Sequence, residues 1–478
     1  MKKNTKQLLK LGLVSTLLTA SAAGWGIEKP KTVEDLWKII QAQQKEIDGL
    51  KAERKPQGET AASAEGETKS AAKEKDDIKE VSRKTDILSQ AVEKLRTQLV
   101  IPEEPELKSE YGLGPAASKV YKVDKGLSIG GYGEGRYQAF VSDADGKKDN
   151  SDLLRFVLYV GYKFTDNILF NSELEFEHAS TGKTGSVSAE FAALDFFFDP
   201  KVNIRAGLVL LPMGFINTLH EPPFFFGNNR PEVERRIIPS TWRENGAGLF
   251  GELLPGLTYT AYAVNGLDAS GFTSAGIRGG RQSGSRALAE DWASVTRVMY
   301  VPPSMPELLF GGSMYLGNSG QDQIFAVPVG DEISFQKVNA FTQLYEAHMQ
   351  WKYKGWKFRT LGAWGHIDNA GTLSAAKGQT IGKSNFGWYT EIGYNIAPLF
   401  FPETSQYFAP FFRFEKLDPI ATAPNGFPDI ENLDRQIVQF GLQYKPIPNV
   451  VIKADYRNFT AKRGSVPDDF NLGFGFIF

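Results

Sequence analysis

The sequence predicts a transmembrane β-barrel of about 16 antiparallel strands, preceded by a short α-helical coiled coil. Three observations lead there. From Leu127 onward, apolar and polar residues alternate with a period of two, which places each set on its own face of a strand. One face is rich in aromatic and aliphatic groups and the other in charged ones, the division expected between lipid and lumen. No stretch approaches the roughly 20 apolar residues that a membrane-spanning helix requires, so membrane residence has to come from strands.

Composition narrows the function classes. The chain has 478 residues, a formal charge of −2 and no cysteine. The charge gives no argument for nucleic acid. Without cysteine there is no disulfide, thiol chemistry or Cys-x-x-Cys-His haem site, and no cofactor or metal is expected. The mean hydropathy of −0.29 fits a barrel, in which the two faces cancel in any average.

The N-terminal region divides in two. Lys2, Lys3, Lys6 and Lys10 precede the apolar Leu11–Leu18, followed by the small residues Ala20-Ser21-Ala22. This reads as a signal peptide over residues 1–22. Val33, Leu36, Ile40, Gln43, Ile47 and Leu50 then follow 4-3 spacing, the a/d positions of a coiled coil. A flexible linker, Lys55–Asp77, is rich in Glu, Lys, Ala, Gly and Ser. The heptads resume at Ile78, Val81, Thr85, Leu88, Val92, Leu95 and Leu99 and stop at Pro102 and Pro105. Residues 23–105 are thus expected to form a periplasmic oligomerisation stalk, with a connector at 106–126 and the barrel at 127–478.

The strands show their two faces directly. Ile168, Phe170, Leu174 and Phe176 alternate with Asn171, Glu173, Glu175 and Glu177. Tyr345, Ala347, Met349, Trp351 and Tyr353 alternate with Glu346, His348, Gln350 and Lys352. Val438, Phe440, Leu442 and Tyr444 alternate with Gln439, Gly441, Gln443 and Lys445. Tyr159, Tyr162, Trp351, Tyr353, Trp356, Trp388, Tyr394 and Tyr444 suit interfacial aromatic girdles. At the C-terminus Phe470, Leu472, Phe474, Phe476 and Phe478 share a face. This ending resembles the terminal-aromatic sorting signal of outer-membrane proteins, so Phe474, Phe476 and Phe478 are expected to engage the barrel-assembly machinery.

A barrel this wide cannot be filled by its own inward side chains, and an aqueous channel is expected. Its narrowest point is expected at the long connection Pro212–Glu244, between the strand-like Val202–Leu211 and Gly246–Leu253. Structureless connections of this length are usually functional. Phe224, Phe225, Phe226, Ile237, Ile238 and Trp242 would be costly on an exposed loop, so the segment should fold inward. The constriction candidates are Arg205, Arg230, Arg235, Arg236 and Arg243, with Glu221, Glu232 and Glu234 beside them. Guanidinium groups held there would favour anions; alternatively the Arg and Glu residues pair off and brace the loop. Gly276–Asp291, with Arg278, Arg281 and Arg286, reads as an extracellular loop or a second basic lining.

Several segments resemble putative porins related to the phosphate-selective porin O/P family: GLSIGGYGEGRYQAF, LRFVLYVGYKF, ILFNSELEFEH, LVLLPMGFINTLHEPPFFF, RPEVERRIIPSTWRENGAGLFGEL and YAVNGLDASGF. They cover roughly Leu127–Asn265. The leading TVEDLWKIIQAQQKEIDGLKA resembles the coiled-coil segments of trimeric porins. The resemblance implies a passive, homotrimeric channel in the outer membrane of a Gram-negative bacterium, surrounded by lipid and passing small anions or other small solutes. Leu36, Ile40, Ile47, Leu50, Leu88 and Leu95 would carry the oligomerisation. The glutamates interleaved among the loop arginines depart from the family's basic constriction.

Catalysis has little to stand on. His178, His220, His348 and His366 are the only histidines. None lies in a His-Glu-x-x-His spacing, and neither Ser172 nor Ser186 lies in a nucleophile elbow. The remaining alternative is a conduit barrel or structural tether that needs a periplasmic partner.

Overall fold

The computed structural model describes residues 107–141 and 146–478. The signal-peptide, coiled-coil and linker expectations, including Leu36, Ile40, Ile47, Leu50, Leu88 and Leu95, lie outside the described residues.

Sixteen strands form one closed antiparallel barrel. In chain order they are β1 (Gly126–Phe140), β2 (Asn150–Thr165), β3 (Ile168–Glu177), β4 (Val187–Asp199), β5 (Val202–Leu210), β6 (Arg243–Leu254), β7 (Leu257–Asn265), β8 (Trp292–Tyr300) and β9 (Leu308–Asn318). After a separate two-stranded hairpin, β10 (Ile324–Val329) and β11 (Glu332–Lys337), come β12 (Phe341–Tyr353), β13 (Trp356–Ile367), β14 (Ser384–Tyr394), β15 (Tyr407–Thr422), β16 (Arg435–Ile447), β17 (Val450–Ala461) and β18 (Asp469–Ile477). Among the described residues there are four short helices: α1 (Lys119–Lys122), ahead of β1, and α2 (Glu232–Arg236), α3 (Ala370–Lys377) and α4 (Ala397–Phe400) in connections.

The two ends of the barrel differ. Tight turns at 166–167, 200–201, 255–256, 354–355 and 448–449 lie at one end. The long connections 211–242, 266–291, 319–340 and 368–383 lie at the other.

The alternation read from the sequence maps onto inside and outside. On β18, Phe470, Leu472 and Phe474 are exposed while Asp469 and Asn471 are buried. On β12, Tyr345 and Trp351 face out while Glu346 and His348 are buried. In water such an outer belt would be unstable; against lipid it is the favourable face. Tyr159 corrects the girdle set. It is 3% exposed and points inward, because it shares its parity with Arg155 and Lys163, and a shift of one residue reverses the face.

The barrel closes where β18 pairs with β1, in the register Gly135↔Phe474 and Gly133↔Phe476. Phe478 exchanges two backbone hydrogen bonds with Gly131, of 2.9 and 3.0 Å. A Cβ on Gly131, Gly133 or Gly135 would stand 2.6–2.8 Å from the rings of Phe478, Phe476 and Phe474 respectively. The rings therefore lie on the glycine backbone, a covering that stabilises cross-strand pairs where one partner has no side chain.

The principal apolar core sits inside the barrel and is built largely by the connections. Met213, Val233, Ile237, Ile238 and Trp242 join Leu267, Phe272 and Ile277, Phe325 and Val327 of the β10–β11 hairpin, and Leu373 of α3 in one buried cluster. The expectation of a wall lined by solvated charge is corrected on this point. Glu173, Glu391, Arg413 and Glu415 are at most 1% exposed, because inserted chain covers them.

Candidate functional site

The connection between β5 and β6 runs through the lumen, as its aromatic content predicts. It is two residues shorter than expected at its far end. β6 begins at Arg243, so Arg243 and Glu244 belong to the wall, not to the loop.

Asn217 closes the base of this loop. Its Nδ2 donates to Leu211 O (2.6 Å) and Trp242 O (2.9 Å), and its Oδ1 accepts from Trp242 N. One short side chain thereby satisfies both strands leaving the wall, an accounting that buried backbone polar groups demand.

The Phe224-Phe225-Phe226 run lies against cationic wall positions. Lys453 Nζ stands 3.7 Å from the Phe225 ring centroid and donates to Gly227 O at 2.9 Å. Lys357 Nζ donates to Phe224 O at 2.8 Å and lies 4.7 Å from the Phe226 ring. Phe226 stacks on Phe411 at 5.0 Å, and its carbonyl accepts from Arg413 Nη2 at 2.7 Å. Desolvated cation–π contacts of this kind are each worth about 2 kcal/mol. These wall cations therefore hold the loop in place. Next along, Asn228 donates from its backbone N (2.7 Å) and its Nδ2 (2.6 Å) to Asp455 Oδ2.

The acidic residues brace the loop further on. Glu234 accepts from Tyr389 Oη (2.6 Å) and Ile216 N (2.7 Å); burial pushes it up to about 7 against those two bonds. Glu232 receives three guanidinium groups: Arg235 at 2.9 Å, Arg236 at 2.8 Å and Arg457 at 3.5 Å. Burial alone would raise its carboxyl, but the three arginines outweigh that and hold it far below the usual range.

The remaining predicted residues separate. Arg205 forms a two-pronged pair with Asp195, at 2.7 and 2.8 Å, and Arg243 pairs with Glu190. Among the described residues Arg230 has no hydrogen bond or ion pair, and its Nε and Nη2 are buried. Arg278 donates to Arg235 O at 3.5 Å. Burial and its neighbours Arg281, Arg235 and Arg230 pull it down to about 9. Arg281 donates to Pro239 O and Thr241 O, so the Gly276–Asp291 region packs against the β5–β6 loop. Bracing pairs are formed by Arg205, Arg235, Arg236 and Arg243 with acidic partners.

One element of the site went unread in the sequence. Residues 113–121 enter the lumen at the tight-turn end. Leu113, Ala116, Ala117, Ser118 and Val120 are buried, and a Cβ on Gly130 or Gly161 would meet Ala116 O or Val120 within 2.7 Å. Tyr121 Oη donates to Asp195 Oδ2 at 2.7 Å, and Asn171 Nδ2 donates to Ala117 O at 2.9 Å. Glu221 reaches it from the lumenal loop: its Oε1 accepts from Ala116 N (3.0 Å) and Ala117 N (3.4 Å). Burial lifts the Glu221 carboxyl to about 8, opposed by those two N–H groups. The only signal was the small-residue run Gly112–Ser118, which permits close packing but names no partner.

No family model matches the chain. An uncharacterized protein of Aquifex aeolicus (strain VF5) is 38% identical over 379 residues, covering 76% of this chain and 82% of the relative. The chain belongs to the family of that Aquifex protein. Similar solved structures, each aligned over 74% of this chain, include a loop L8 deletion mutant of OmpT from Vibrio cholerae (10% identity, all of that chain, TM-score 0.49). The outer-membrane channel DcaP of Acinetobacter baumannii is 13% identical over 97% of its chain, at 0.47. An anion-selective porin from Comamonas acidovorans is 10% identical over 99% of its chain, at 0.46. At such scores the barrel rests on its own strand register and not on these likenesses.

Proposed function

We propose that this family member is a passive diffusion channel of the Gram-negative outer membrane, not an enzyme, and that it prefers small anions. The observation that carries the reading is the closed sixteen-strand barrel with an apolar exterior and a charged interior. Barrels of this size leave a lumen that inserted segments can shape. The anion preference is supported by unequal pairing along the β5–β6 loop. Arg235 and Arg236 both pair with the single carboxylate of Glu232, which Arg457, itself paired with Asp469, also approaches, and among the described residues Arg230 makes no hydrogen bond or ion pair. Excess fixed positive charge in a narrow lumen attracts anions and repels cations. Phosphate is a candidate solute because guanidinium groups bind it bidentately. The heptads over residues 33–50 and 78–99 would supply a trimeric stalk on the periplasmic side.

A second reading, a barrel that needs a periplasmic partner, is favoured by the 113–121 segment, which occupies the tight-turn end of the lumen. Single-channel conductance of the refolded chain under a salt gradient, with phosphate titrated in, separates the two. Stepwise conductance with an anion-biased reversal potential supports the channel, and replacing Arg230, Arg235 and Arg236 with Ala should move that potential toward cations. Silence from a folded barrel favours the partner-dependent reading.

A further inference from the structure

Behind the lumenal loop, Glu173 of β3, Glu190 of β4 and His220 of the loop bring three ligand atoms within 4.8 Å of one another. All three residues are buried. His220 Nε2 lies 3.0 Å from Glu173 Oε1, and its Nδ1 lies 3.3 Å from Asn217 O. A carbonyl can only accept, so Nδ1 carries the proton. Either Nε2 carries a second proton, giving a His220–Glu173 ion pair, or its lone pair faces a carboxylate oxygen and a positive ion must lie between them. The Asn217 contact is also how metal-binding histidines are oriented, with the second ring N–H given to a backbone carbonyl.

Two further observations point to a ligand at this place. Glu173 is 0% exposed, and among the described residues its second oxygen, Oε2, has no hydrogen-bond partner. Glu175 is 2% exposed, and among the described residues its Oε1 is without a hydrogen bond. Two buried carboxyl groups as close as those of Glu173 and Glu190, with ligand atoms within 4.8 Å, call for a proton or a cation between them. The surrounding cations do not fully supply it: Arg243 pairs with Glu190, and Arg155 is divided between Glu134 and Glu175. Arg230 adds its field at Glu190 without bonding to it.

We propose that Glu173, Glu190 and His220 form a binding site for a divalent transition-metal ion, with Glu175 available as a further oxygen ligand. One imidazole with carboxylates suits Zn²⁺, Mn²⁺ or Fe²⁺ better than Ca²⁺ or Mg²⁺, which take oxygen ligands. A bound ion would fasten the loop to β3 and β4, one residue from the Glu221 contact with segment 113–121. The site is independent of what the channel carries.

The test uses the full mature chain in detergent, stripped with EDTA and titrated with Zn²⁺ and separately with Co²⁺. The expected result is one Zn²⁺ per chain, visible Co²⁺ absorption bands of a mixed nitrogen–oxygen site, and a thermal midpoint that rises with Zn²⁺. His220→Gln and the isosteric Glu173→Gln should each weaken Zn²⁺ at least tenfold, with folding checked by heat-modifiable migration. A His178→Ala/His366→Ala double variant, which removes the histidines paired with Asp152 and Asp368, should leave it unchanged. A wild-type chain with neither stoichiometric binding nor a Zn²⁺-dependent midpoint overturns the proposal and leaves a His220–Glu173 ion pair. Binding that survives His220→Gln, or is lost in the double variant, overturns it as well.

Discussion

At the scale of single residues, the lumen is organised by side chains that satisfy backbone groups of distant segments. Glu221 holds the N–H groups of Ala116 and Ala117, and a Cβ on Gly114 would fall 2.5 Å from its Oε1. Because burial raises the Glu221 carboxyl to about 8, the protonated form is the one the fold favours. Its contribution is complete below the ordinary carboxylate range and is lost as pH rises through about 8. Seating of segment 113–121 should therefore loosen between about pH 5 and pH 8, read as growing protease cleavage in residues 107–125. Glu221→Gln keeps the accepting oxygen without the charge and should flatten that dependence. An unchanged slope would assign the titration to another group. The sequence marked Glu221 by its place in a long, aromatic loop. It could not name its partners, since the contact joins residues more than 100 positions apart through backbone atoms that carry no sequence signature. Asn217 escaped because its partners Leu211 and Trp242 offer it only backbone atoms, and Asn228 because Asp455 lies 227 positions away.

At the scale of elements, the strands were readable because lipid and lumen impose opposite chemistry on alternate residues. Glu173 and Glu175 on β3, and Glu346 and His348 on β12, lie where the alternation puts them. Tyr159 misled because an aromatic suits both a girdle and a packed lumen; its parity with Arg155 decides. The start of β6 misled because Arg243 and Glu244 look like loop residues. Glu244 is 0% exposed and accepts from Trp242 Nε1 and Gln282 N, partners that the long connections bring to it. Two predictions follow the faces. Phe440 stands 54% exposed on the outer face of β16, so Phe440→Arg should cost about 2–4 kcal/mol if it sits at bilayer mid-depth. Reversible urea unfolding in lipid vesicles measures this; a loss under about 1 kcal/mol would move Phe440 to the interface. Phe476→Ala uncovers Gly133 at the β1–β18 seam and should lower the temperature at which heat-modifiable migration is lost. An unchanged temperature would make the ring contact incidental.

At the largest scale, the described residues form a closed wall with a separately specified interior. The wall follows from a two-residue period, whereas the interior is set by tertiary contacts among connections, hence the difference in legibility. Segment 113–121 and the β5–β6 loop meet through Glu221 inside the barrel. Excision of residues 113–122 should therefore raise single-channel conductance. Equal conductance would place the limiting section elsewhere along the lumen. The seam has a consequence for biosynthesis. β1 pairs with β18, so the first and last strands of the barrel must meet. Until β18 has been synthesised, the first strand lacks this neighbour and no cylinder can form. Closing so long a span is entropically slow. That delay gives an exported chain time to reach its destination before it commits to a shape it could not be threaded through.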